Sequence, residues 1–334
     1  MRNCKKSYNR ITLLYLIGIL FVLFSVACGI MMGATILTPK ELYTAITNGA
    51  TDNAAARIFW YVRLPRTLAC LFCGSALAVS GAVIQGALAN PLATPSIIGV
   101  NSGAGLGVTL CTVFGIYGGL RLSLFSFLGA FFSVMLVCII SRKLGASRAT
   151  VILLGVALNS ILNAFSDVVV AFNRDVAVMS YDFKIGEFSS VTYQKLLPAS
   201  IIITVTLFIV FTLTNELDLL TLGEENAMGL GLNSQFMRIL LLILAALLAG
   251  CAVTLAGLLS FVGLIVPHIV RRLSGSGASY LLPLSALFGA GFVTFCDTLA
   301  RTIFSPYEIP VGIIMSFLGA PFFVIILCKR KGRG

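Results

Sequence analysis

The sequence predicts an all-α, polytopic integral membrane protein of about ten transmembrane helices, on three observations. Of its 334 residues 58% are hydrophobic and only 10% charged, where soluble domains carry roughly 25% charged residues. The apolar residues fall in runs of about 17–24, the length a helix needs to cross a hydrocarbon core of about 30 Å. Strand-type alternation is absent, so helices rather than a closed barrel are expected to satisfy the backbone in lipid.

Taken in order, the runs lie near 11–34, 64–84, 96–114, 122–141, 149–172, 196–214, 238–255, 257–270, 280–299 and 310–328. The first follows the basic residues Arg2, Lys5, Lys6 and Arg10. It exceeds the 7–15 residues or so of a signal-peptide core and lacks a clean cleavage site, so it is read as a retained span. Ser25-Val26-Ala27 before Cys28 lacks the leucine of a lipoprotein signal, which argues against a lipid anchor there.

Orientation follows from Lys and Arg in short loops. The N-terminal tail, the loop with Arg142, Lys143 and Arg148, and the tail with Lys329, Arg330, Lys331 and Arg333 are all basic. An even number of spans puts these on one side, so both termini are expected in the cytoplasm, with residues 1–334 forming one transmembrane domain.

The stretch from Arg238 to Arg272 has no polar break and is too long for one span. Division near Ala256–Gly257 puts His268, Arg271 and Arg272 inside and leaves a short eighth helix. A faint echo offers a rival. In "SGAVIQGALANP" Gly81 stands ten residues before Pro91, and in "AGLLSFVGLIVP" Gly257 stands ten before Pro267. An inverted repeat of this kind would put Pro267 outside. Both readings stay open at this point.

One cytoplasmic loop, about 215–237, is unlike its surroundings. In this topology it holds all four acidic residues of that side: Glu216, Asp218, Glu224 and Glu225. Glu224 to Leu230 is expected to form a short helix stopped at Gly231, a residue type suited to a helix C-cap. A solvated loop is the plain alternative.

Span five carries Ser160, Asn163 and Asp167 on one helical face. An aspartate in a span costs roughly 2.5–3.5 kcal/mol at the bilayer centre on insertion scales, so the stripe should avoid lipid. It either packs against a neighbouring helix or lines a translocation path. Gly74, Ala78, Ala82 and Gly86, and again Gly99, Gly103 and Gly107, recur every four residues and predict close helix approach. Pro91 and Pro95 break the chain between spans two and three, where the freed backbone groups must face protein or water. Arg63 and Arg66 flank Pro65 at the outer end of span two, and Arg301 lies at the outer end of span nine. Interfacial snorkelling would account for all three.

Several chemistries have no support. There is a single histidine, His268, no metal-ligand spacing, and no GxxxxGK[ST] phosphate loop. Cys70 and Cys73 form a CxxC inside a span and are read as small hydrophobes. The chain is therefore not expected to be an enzyme, to hold a metal or to bind a cofactor by itself, and no nucleic-acid partner is indicated.

"LGEENAMGLGL" resembles the coupling segment of permease subunits of ABC importers for iron–siderophores, haem and cobalamin, the FecCD/BtuC type, in Leu222, Gly223, Glu224, Ala227, Leu230 and Gly231. Three further blocks agree in order along the chain. They are "RLPRTLACLFCGSALAVSGAVIQGALANPLATPSIIGVNSGAG" (63–105), "FVGLIVPHIVRRLSG" (261–275) and "DTLARTIFSPYEIPVGIIMSFLGAPFF" (297–323). Departures are Ala89 and Thr94 beside the Asn-Pro turn, and "YDFKIGEFSS" (181–190), which lacks the tryptophan common there.

The resemblance implies a prokaryotic cytoplasmic-membrane importer of two permeases, identical or paralogous, on a cytoplasmic ABC ATPase dimer that binds ATP and magnesium. An extracytoplasmic binding protein feeds it. It further implies that the acidic loop docks the ATPase, that Arg63, Arg66 and Arg301 receive acidic residues of the binding protein, and that span five lines the path. A chelated iron compound, a ferric siderophore first, with haem or cobalamin behind it, would be the cargo. The rival reading from the residues is a secondary transporter driven by an ion gradient, for which Asp167 is the one carboxylate clearly within a span.

Overall fold

The computed structural model describes residues 2–49, 53–145 and 147–331, and among these the regular elements are all helical. In chain order they are α1 (Arg2–Met31), α2 (Pro39–Asn48), α3 (Ala54–Arg57), α4 (Leu64–Ala87), α5 (Val100–Val113), α6 (Gly119–Lys143), α7 (Arg148–Phe172) and α8 (Arg174–Ile185). There follow α9 (Tyr193–Thr212), α10 (Thr214–Thr221), α11 (Glu224–Gly229), α12 (Ser234–Ala256), α13 (Val262–Ser274), α14 (Ala278–Thr302) and α15 (Val311–Lys331). A π-helical turn, Ile58–Arg63, joins α3 to α4 and makes one continuous helix from Ala54 to Ala87.

Each of the ten apolar runs coincides with a helix, but not all have the same reach. Seven described helices are long and apolar enough to cross a membrane: α1, α3–α4, α6, α7, α9, α12 and α14. Helix α5 and the apolar part of α15 are shorter, and α13 has 13 residues, about 20 Å of helix. The sequence reading did not anticipate α2, α8 or α10. These carry enough polar residues to break the apolar pattern on which that reading relied. Arg333 of the C-terminal basic group lies outside the described residues.

Helix α4 is the buried centre, packed among α12, α13 and α14. Its small residues are where the other helices cross. A Cβ on Gly74 would stand 2.2 Å from the carbonyl oxygen of Gly289, and one on Gly81 1.9 Å from that of Gly263. Helices α5 and α6 cross in the same way, a Cβ on Gly103 meeting the Gly129 oxygen at 2.3 Å. Lipid supplies no hydrophobic drive for helices to associate, so such backbone-to-backbone packing does much of the holding. Cys70 and Cys73 lie fully buried in this core.

The break between α4 and α5 is satisfied by protein. The Asn159 amide of α7 donates to the carbonyls of Ser96 (2.8 Å) and Ile97 (3.3 Å). Helix α12 ends at Gly257, where φ is +70°, and the chain turns back through Phe261 into α13. Arg271 on α13 donates to Gln85 near the end of α4 (3.0 Å), and Gln85 donates to the Gly263 carbonyl (3.0 Å). Gly86 packs against Leu217 of α10. Arg271 thus sits at the end of the bundle that carries the acidic loop, as the division at Ala256–Gly257 expected. The sequence echo has no structural counterpart, because Pro91 lies in the turn after α4 whereas Pro267 lies inside α13.

Candidate functional site

The acidic segment folds as two short helices, α10 and α11, joined at Gly223 with φ of +108°. Helix α11 closes as a Schellman motif: Leu232 N–H donates to the Ala227 carbonyl (3.0 Å) and Gly231 N–H to that of Met228 (2.9 Å). Gly231 takes φ of +83°, which a β-carbon would penalise. Ala227 is buried and anchors the helix, while Leu222, Met228, Leu230 and nearby Phe236 are each more than half exposed. Leu222, Met228 and Leu230 thus leave apolar side chains of the projection uncovered within this chain, with Phe236 exposed at the start of α12.

The acids do not share one role. Both oxygens of Asp218 accept from the Ala278 N–H (2.9 and 3.1 Å), so α10 caps α14 at its positive end. The Glu224 carboxylate accepts a hydrogen bond from Arg238 of α12 and lies 3.5 Å from Arg148 Nε at the start of α7. Arg148 Nη2 also donates to the Leu220 carbonyl (2.7 Å). Glu225 is exposed.

Arg63, Arg66 and Arg301 do come together, at the opposite end of α14, but they are buried rather than facing outward, at 5%, 6% and 2% exposure. Arg66 donates to Asp297 through Nε (3.1 and 3.2 Å) and Nη2 (3.0 Å), and to Glu308 through Nη1 (2.7 Å). Arg301 Nε pairs with Asp297 at 3.0 Å, and its other nitrogens donate to the Gly29 and Met32 carbonyls. Arg63 donates to the carbonyls of Met32 and Thr35 (2.9 Å for the latter). Sequence reasoning missed Asp297 and Glu308, which neutralise most of the cluster from within the chain. Exposed residues that follow Arg301 in the chain include Ile303, Phe304 and Tyr307, with Glu308 half-exposed beside them.

The polar stripe of α7 opens on a cavity of about 490 Å³ between α5, α7 and α8. Asn163 and Asp167 line it, with Asn101, Ser102, Asn159 and Lys184. Ser160 does not: its hydroxyl donates back to the Val156 carbonyl on an exposed face. The inner member of the stripe is Asn159, whose Oδ1 accepts from Ser102. Asp167 and Lys184 lie 3.7 Å apart, both well exposed. The signal for Asn159 was present in its i, i+4, i+8 spacing with Asn163 and Asp167. The contribution of α8 was not, because no local pattern brings Lys184 back against α7.

A multi-helix membrane protein with a polar cavity at mid-helix and a capped helical projection at one end has the parts of a transport subunit. The chain belongs to the FecCD transport family, whose sequence profile matches residues 19–329. It is 33% identical to the Fe(3+)-citrate import system permease protein YfmD of Bacillus subtilis (strain 168), over 98% of this chain and 97% of that one. It is 35% identical to the hemin transport system permease protein HmuU of Yersinia pestis, over 90% of each. The fold matches a solved inward-facing metal-chelate type ABC transporter with a TM-score of 0.85 and 31% identity, covering 95% of this chain and 99% of the other.

Proposed function

We propose that this chain is the permease subunit of an ATP-driven importer for a metal chelate, with a ferric siderophore as first candidate cargo and haem or cobalamin after it. Two such permeases pair in the cytoplasmic membrane on a cytoplasmic ABC ATPase dimer, with both termini inside. The observation that carries this reading is the α10–α11 projection, a capped helix with Leu222, Met228 and Leu230 exposed and its anchoring residues turned into the bundle. Such a surface is suited to a protein partner rather than to lipid, because it is flanked by Glu225 and Asn226.

In alternating access the ATPase would move this projection, and α7 would carry Asn163 and Asp167 with it, opening the polar cavity to one side and then the other. The outer face above Arg63, Arg66 and Arg301 is proposed to receive the binding protein. Glu308 and the neighbouring aromatics make first contact there, and the arginine network acts as the platform beneath.

The test is isolation of the tagged chain from its native membrane with mass spectrometry of what accompanies it. An ATPase with a phosphate loop and a secreted binding protein are expected, and the cargo of that binding protein identifies the chelate. A preparation of the chain alone, stable without any ATPase, would instead favour a secondary transporter built around Asp167.

A further inference from the structure

We propose that Glu224 is the joint through which the ATPase-docking projection moves the pathway helix, rather than a residue that meets the ATPase. This rests on the importer reading above and adds to it a positioning role for Glu224 and Arg148.

Glu224 turns toward Arg238, which is buried, and toward Arg148, which is four-fifths buried, while its neighbour Glu225 faces out. The outward surface of the projection is made by other residues, Leu222, Met228 and Leu230.

The two arginines sit on helices held very differently. Arg238 belongs to α12, in which residue after residue from Leu241 to Ala256 is buried in the core. Arg148 is the first residue of α7, in which Val151, Gly155 and Ser166 are the fully buried positions. Within this chain, Glu224 therefore bridges a helix buried in the core and one with few buried positions. Arg148 also holds the Leu220 carbonyl at 2.7 Å, so it grips the projection on both sides of the hinge at Gly223.

The carboxylate is shared unequally. With Arg238 it makes a hydrogen bond, whereas Arg148 Nε, at 3.5 Å, is buried without a hydrogen-bond partner. A shift of under about 1 Å would bring that pair to ordinary hydrogen-bond length. Tilting α11 toward α7 would thus trade one charge-assisted contact for another of the same kind, a discrete element that two sites can bias. Helix α7 is 25 residues long, about 37 Å at 1.5 Å per residue. Displacement at Arg148 therefore reaches Asn159, Asn163 and Asp167 along one rigid rod.

The experiment uses the complex isolated through a tag on this chain, with ATP plus orthovanadate as the trapping ligand and amide hydrogen exchange as the readout. In the unaltered chain, trapping should change exchange across residues 148–158. In Glu224→Gln and in Arg148→Gln the ATPase should co-purify within about twofold of the unaltered amount, yet the change in α7 should fall at least threefold. The double variant should be no worse than the worse single one, because both remove the same link. Arg148→Lys, which keeps the charge but reaches one acceptor instead of two, guards against a variant that merely fails to fold and should respond in between.

Loss of ATPase in proportion to the loss of the α7 response would make Glu224 a docking residue and overturn the joint. A full α7 response in Glu224→Gln would overturn it as well. Absence of any ATPase from the unaltered preparation is a separate result, which removes the importer reading and the joint together.

Discussion

Asp297 is the residue on which the buried arginine cluster depends, and Asp297→Asn measures that dependence. Its carboxylate is 1% exposed and accepts three hydrogen-bond contacts from Arg66, while also pairing with Arg301 Nε at 3.0 Å. The amide would remove the charge and leave Arg63, Arg66 and Arg301 facing one another, with the half-exposed Glu308 as the remaining counter-ion. Removing one partner of a buried pair costs about 3–5 kcal/mol, because the other charge stays desolvated and uncompensated. At roughly 2 °C per kcal/mol for a chain of this size, the midpoint of thermal unfolding in lipid nanodiscs should drop by about 6–10 °C. Glu308→Gln is the internal control and should cost under about 1 kcal/mol, since water screens its pair with Arg66. A shift below about 1 °C for Asp297→Asn, at normal membrane insertion, would refute the reasoning. It would mean that the cluster is solvated and the arginines stand at an open face, as the sequence alone suggests.

Other outcomes follow from the same geometry. Gly103→Val should cost about 1–3 kcal/mol or prevent assembly, since its Cβ would meet the Gly129 carbonyl at 2.3 Å, whereas Gly105→Ala on the same helix meets nothing within 4 Å and should unfold normally. Asn159→Leu should lower both stability and transport, because it removes the amide donor to the Ile97 carbonyl and leaves that of Ser96 with only the Gly99 N–H, while Ser160→Ala should change neither, as paired unfolding and uptake assays would show. The amide of Thr38 holds the Glu41 carboxyl below the usual carboxylate range as part of a capping box on α2. A lowered carboxylate pKa stabilises above the unfolded value, and its contribution is lost as pH falls through the folded value. Protection of residues 39–48, taken relative to the intrinsic exchange rate at each pH, should therefore be level near neutrality and fall in acid below the ordinary carboxylate range, a fall that Glu41→Gln should abolish.

Composition and run length alone determined that this chain lies in a membrane as helices, because a hydrocarbon solvent leaves the backbone no other partner than itself. The small residues of α4 and α5 were legible as crossing points for a related reason: a four-residue spacing puts them on one helix face whatever the neighbour is. The stop at Gly231 was equally local, set by the backbone conformation a Schellman motif needs. What the sequence did not determine was which side chains find one another across long separations. Asp297 lies 231 residues from Arg66, and Glu224 lies 76 residues from Arg148, so no periodicity connects either pair. The arginines thus read as an outward face although the fold buries them, and Ser160 read as a member of the stripe although the turn of α7 gives that place to Asn159. A charge in a membrane protein is placed by whatever partner lowers its cost of leaving water, and only the tertiary arrangement says which partner is within reach.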